Sequence, residues 1–139
     1  MQLDANGESC IYTQGGAHLI VDLQGYLDPT TYTVASQRLL DTRQPAPTPA
    51  VPADGRAEVV GQADGLAVLS VIGAETLASG YFQLLGCAET AGAYSNLNSD
   101  RAGQTRANLA IAQLDGNGTT CVYTQGGAHL IADVQGYLD

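Results

Sequence analysis

Apolar residues in this chain fall at every second position or in short unbroken runs, and no stretch carries them at the spacing of an amphipathic helix. The pattern predicts short strands punctuated by Gly, Asn and Asp. Residues 2 to 28 read as a β-hairpin, with turns at Asn6-Gly7 and Gly15-Gly16 and a long closing run from His18 to Leu27. Within that run Leu19, Val21 and Leu23 share one face, and His18, Ile20, Asp22 and Gln24 share the other. Ser36 to Arg43 reads as a strand ending in a charged turn. Gln44 to Pro52 is too rich in proline for a helix interior or a central strand and predicts an extended surface crossing. Gly65 to Ile72 is apolar on both faces, as in the middle of a sandwich wall. Ala74 to Ala78 suggests one helical turn; Gly80 to Cys87, Ala93 to Asn98 and Thr105 to Leu114 suggest further strands. The fold class that follows is all-β: an antiparallel β-sandwich or barrel-like single domain.

One sequence feature organises the rest. Leu114 to Asp139 repeats Leu3 to Asp28 at a constant offset, differing only at Ala5/Gly116, Glu8/Thr119, Ser9/Thr120, Ile11/Val122, Val21/Ala132 and Leu23/Val134. The chain therefore carries the same hairpin at both termini. This divides it into residues 1–28, the tail hairpin of a preceding repeat, and residues 29–139, one complete β-rich unit. An isolated hairpin is marginal in water, so the face of Leu19, Val21 and Leu23 needs a partner sheet, either its own domain's or another copy's. Cys10, Tyr12, Leu19, Val21 and Leu23 are the residues expected to carry such assembly.

Composition narrows the function classes. The 139 residues are 45% apolar and 14% charged, with a formal charge of -9, so a soluble globular body is expected and a nucleic-acid backbone or anionic membrane surface would be repelled. Apolar runs fall well short of the roughly 20 residues of a membrane helix. Of the three cysteines, Cys10 and Cys121 are repeat equivalents and Cys87 lies between them. The economical pairing is a Cys87–Cys121 disulfide within one unit, with Cys10 left over for an intermolecular bond; the alternative is three reduced thiols in an intracellular protein.

No catalytic constellation emerges. The two histidines lie inside the repeated hairpins, no nucleophile elbow accompanies the serines, and no cofactor motif is present. His18 and Asp22, like His129 and Asp133, are about 13 Å apart along one strand, too far for a direct pair, so a metal would need ligands from adjacent strands that the hairpin does not supply. Asp4-Ala-Asn-Gly7 and Asp115-Gly-Asn-Gly118 resemble the opening of a calcium loop but lack its distal ligands and read as turns. The most site-like polar group is Tyr94, Asn96, Asn98 and Asn108, whose amides and aromatic face suit sugar hydroxyls; the same residue types also satisfy backbone groups at corners.

Arg38-Leu-Leu-Asp-Thr-Arg43, Gly80-Tyr-Phe through Gly86-Cys87, Ser95-Asn-Leu-Asn98, Gly103 to Asn108, Cys121-Val-Tyr123 and His129 through Gly136-Tyr137 occur in an order that resembles the β-rich tandem repeat modules of large secreted and cell-surface proteins of actinobacteria. The resemblance implies an extracellular accessory module with no catalytic residues to carry over. The expected function is a structural or adhesive module that assembles through strand pairing. Its partners would be copies of itself or neighbouring repeats, and the alternative is a module binding a surface glycan.

Overall fold

The computed structural model describes residues 3–16, 18–19, 26–28 and 30–138. Eight strands form the domain: β1 (Tyr32–Asp41), β2 (Gly55–Val60), β3 (Leu66–Ala74), β4 (Gly80–Leu85), β5 (Leu97–Ser99), β6 (Arg106–Gln113), β7 (Thr119–Thr124) and β8 (His129–Leu138). They make two four-stranded antiparallel sheets, one in the order β1-β8-β3-β6 and the other β2-β7-β4-β5, packed face to face as a β-sandwich. Every connection except β4 to β5 passes from one sheet to the other.

Alternation within the strands explains the packing. Ala67, Leu69 and Val71 of β3, Ala110 and Ala112 of β6, and Leu130, Ala132 and Val134 of β8 point inward from the first sheet. Val59, Phe82, Leu84, Leu97 and Val122 meet them from the second. The first sheet mixes alanines (Ala67, Ala110, Ala112 and Ala132) with Leu and Val, and Phe82, the chain's single phenylalanine, packs against it from the second. Gly73 is the extreme case, since a Cβ there would run into the Phe82 ring.

Two expectations are corrected. The closing element is not a hairpin: β7 and β8 lie in different sheets and do not pair with each other. Both strands turn apolar or hydroxyl side chains (Thr120, Val122 and Thr124; Leu130, Ala132 and Val134) toward one core from opposite sides, which is the geometry of an arch across the sandwich. The Gly126-Gly127 corner makes the crossing, with Gly127 at φ 79° and its N–H donating to the Thr124 hydroxyl at 3.0 Å. The N-terminal copy, expected as a hairpin from residue 2 to 28, has no strand among its described residues.

Smaller differences have local causes. Ala74 to Ala78 forms no helix; Thr76 and Leu77 instead donate backbone N–H groups to Gln104 and Gly127. The strand expected over Ala93 to Asn98 is reduced to Leu97–Ser99. The proline-rich crossing stays outside the sheets apart from one bridge, Val51 to Ala128.

Gly73→Ala should lower stability by about 1–3 kcal/mol, the usual cost of overpacking a filled core. A lower urea midpoint with an unchanged slope would show it.

Candidate functional site

The arch of β7 and β8 sits at the centre of both sheets. β7 lies between β2 and β4, and β8 between β1 and β3, so the slot they fill is walled by four strands. Leu130 and Ala132 are fully buried, as are Val122 and Thr124, and Val134 is 1% exposed. Specific polar contacts fix the arch in place. The Tyr123 hydroxyl donates to Asp54 Oδ1 at 2.5 Å, and this hydrogen bond, with burial and the neighbouring Tyr81, holds the phenol well above its ordinary range. Thr120 donates to the Leu85 carbonyl at 3.1 Å. Tyr32 lies across Gly136, where a Cβ would collide with its ring, and donates to the Gln135 carbonyl at 2.9 Å.

On the outer face of the first sheet Arg38 grips Asp133 of β8 with two parallel bonds, Nε to Oδ1 at 2.7 Å and Nη2 to Oδ2 at 3.0 Å. Arg38 and Arg43 both reach Asp41, and the Arg43 guanidinium above all keeps that carboxyl far below the usual carboxylate range. The arginine ends are partly exposed while Asp41 is nearly buried, and the Arg38–Asp133 pair ties β1 to β8. This is the charged corner that Arg38, Asp41 and Arg43 indicated in the sequence.

The disulfide expected between Cys87 and Cys121 is formed. Cys121 lies on the outer face of β7, and the bond ties to it the loop from Gly86 to Asn96. That loop straps the outer face of the second sheet. Gln83 accepts from Gly92 N–H at 2.8 Å, Arg56 donates to the Cys87 carbonyl at 2.6 Å, and Leu85, Cys121 and Tyr123 pack beneath with Tyr81 and Ala91.

The N-terminal assembly residues are placed differently from their twins. Cys10 is exposed with a free thiol, Tyr12 is 86% exposed and Leu19 52%. Val21 and Leu23 lie outside the described residues. The local turn is nevertheless the same in both copies. Asp4 Oδ1 accepts from Asn6 and Glu8 N–H at 2.9 Å each, as Asp115 Oδ1 does from Asn117 and Thr119 at 2.9 and 2.8 Å, and Gly7 and Gly118 share a φ of 78°. The aspartate in each calcium-like motif therefore caps a turn.

The polar group Tyr94, Asn96, Asn98 and Asn108 borders a groove of about 360 Å³ between the end of β4 and β6, lined by Tyr94 and Asn96 but not by Asn98 or Asn108. Much of its hydrogen-bonding capacity is already committed. β5 stops after pairing Gly80 to Phe82, and beyond it side chains take over the ladder: Asn96 Oδ1 accepts from Leu84 N–H at 2.8 Å, and the Tyr94 hydroxyl donates to the Leu84 carbonyl at 2.7 Å. Asn108 Nδ2 donates to the Asn96 carbonyl at 2.7 Å, and Asn98 is exposed on β5. The sequence allowed this role, since such residues satisfy backbone groups at corners, but the length of β5 decides which groups need a partner.

Among the described residues no three His, Cys, Asp or Glu side chains cluster as a metal site, and no helix is long and apolar enough to cross a membrane. No family model matches the chain, and neither a curated protein nor a solved structure matches it.

Asn96→Ala should cost about 1–3 kcal/mol of stability by leaving the Leu84 N–H without its acceptor, read from chemical denaturation. Replacing Cys87 and Cys121 by Ser should cost about 2–4 kcal/mol, since the bridge spans a separation of 34 residues. Limited proteolysis of that variant should show a cut between Gly86 and Asn96 that the disulfide-bonded chain resists.

Proposed function

We propose that this chain is a structural or adhesive repeat unit of a secreted or cell-surface protein, and that units join by β-strand pairing. One observation carries the reading: the chain holds two copies of the central arch and one eight-stranded sandwich, and the described residues of the first copy lie exposed outside it. The arch sequence is suited to the slot between β1, β3, β2 and β4, and such a slot in a neighbouring unit would bury it. An oxidising setting is supported by the Cys87–Cys121 bond. The charge of -9 would keep arrays of such units from clumping.

The glycan-binding alternative draws less support, because Tyr94, Asn96 and Asn108 are engaged with backbone groups.

All eight strands among the described residues lie between Tyr32 and Leu138, so a chain lacking residues 1–28 keeps each of them. Light scattering across a concentration series should give a molar mass that rises for the intact chain and stays monomeric for the shortened one. A constant monomer mass for both would defeat the assembly reading.

A further inference from the structure

Residues 3–28 retain the groups by which the seated arch is held. Cys10 corresponds to Cys121, Tyr12 to the Tyr123 that bonds Asp54, Asp22 to the Asp133 gripped by Arg38, and Gly25 to the Gly136 under Tyr32. These four groups are retained in the N-terminal copy.

The route into the slot is also short. β1 pairs antiparallel with β8 in a register that sets Tyr32 opposite Leu138 and Val34 opposite Gly136. The twin of Leu138 is Leu27, and only residues 28–31 separate Leu27 from Tyr32. A strand ending at Leu27 and continuing into β1 in this register is thus a two-stranded hairpin with a four-residue loop, a common length. The loop already has the needed bonds: Thr31 N–H donates to the Asp28 carbonyl at 3.0 Å, closing a β-turn, and Thr30 N–H donates to Asp28 Oδ1 at 2.8 Å.

We propose that the central slot of this sandwich has two interchangeable occupants, residues 114–139 as seen here and residues 3–28 of the same chain, the second entering as a hairpin partner of β1. Exchange between them circularly permutes the domain and frees the C-terminal arch to seek another unit. This goes beyond assembly between units, because the acceptor is the chain's own sandwich. The disulfide can follow without an external oxidant: the Cys10 thiolate attacks Cys87 Sγ, the Cys87–Cys121 bond breaks, and Cys121 departs as a thiolate that takes up the proton Cys10 lost.

The core explains which occupant is seated. At three buried positions the N-terminal copy is larger, with Ile11 for Val122, Val21 for Ala132 and Leu23 for Val134, and those sites are 0%, 0% and 1% exposed. A filled core resists added methylenes, so residues 114–139 fit better and hold the slot until something disfavours them.

The test disables one arch at a time in the full chain, refolded in a glutathione redox buffer. Val134→Asp places a carboxylate in the core through the C-terminal arch, and Leu23→Asp does the same to the N-terminal one. Val134→Asp should fold cooperatively as a monomer, and its peptide map should lose the Cys87–Cys121 bridge and gain Cys10–Cys87 within one chain. Leu23→Asp should keep Cys87–Cys121, and the double variant should lose its β-sheet circular dichroism. The proposal is overturned if Val134→Asp is as unfolded as the double variant, if it keeps Cys87–Cys121, or if the double variant still folds. A Cys10–Cys87 bond that links two chains also overturns it, while leaving assembly between units standing.

Discussion

The rest of the structure depends on burying the arch of β7 and β8. Each of its strands is paired on both sides, so removing the arch would leave each sheet without one of its two central strands. The core would open as well, because Val122, Leu130, Ala132 and Val134 hold its middle from the two facing walls. Stability here is therefore a property of the whole sandwich. The strands that flank the arch come from distant parts of the chain, β1 and β3 on one side and β2 and β4 on the other. Such non-local pairing is costly to begin and rewarding only once complete.

The two outer faces are managed differently. The second sheet is strapped by the loop from Gly86 to Asn96, which the Cys87–Cys121 bond, Gln83 and Arg56 hold down over Leu85 and Tyr123. Among the described residues no loop straps the first sheet in this way, and Leu109 and Ile111 of β6 are 61% and 59% exposed on it. Its outer face carries instead the Arg38 clamp on Asp133, which joins β1 to β8. The covalent tie thus sits where a long loop must be kept on apolar surface, and the ion pairs sit where the strands are already paired by backbone bonds.

Much of this was legible in the sequence, and the reasons for the rest are specific. The two-residue period put Leu19, Val21 and Leu23 on one face, and their twins Leu130, Ala132 and Val134 are core residues. The spacing of Gly and Asn gave the turns, and the repeat gave the disulfide partner. The Gly-Gly corner was misread as a hairpin turn because alternation states which side chains share a face and not which sheet that face belongs to. Strand β5 was overestimated because Ala93 to Asn96 leads directly into Leu97, yet Tyr94 and Asn96 use their side chains where a strand would use its backbone. That substitution also explains why a polar group resembling a sugar site is part of the fold's own hydrogen bonding. In each case the missing information was tertiary.

The proximity of the end of β8 to the start of β1 has a consequence for any array of such units. Tyr32 lies opposite Leu138, and in the sequence the twin of Leu138 precedes Tyr32 by a turn that Asp28 closes through bonds to Thr30 and Thr31. In the proposed array a following unit joined by so short a segment would have little freedom to swing, since Asp28 accepts from two backbone N–H groups in it. It would begin beside the strand that ends its predecessor. The arch would then adjoin six strands on either side of it in the chain, and sequence order alone does not say which set it would complete. Core volume would then bias the choice, since the larger Val21 and Leu23 fill a slot more than Ala132 and Val134 do, so two near-identical arches can share one slot while differing in how well each fits it.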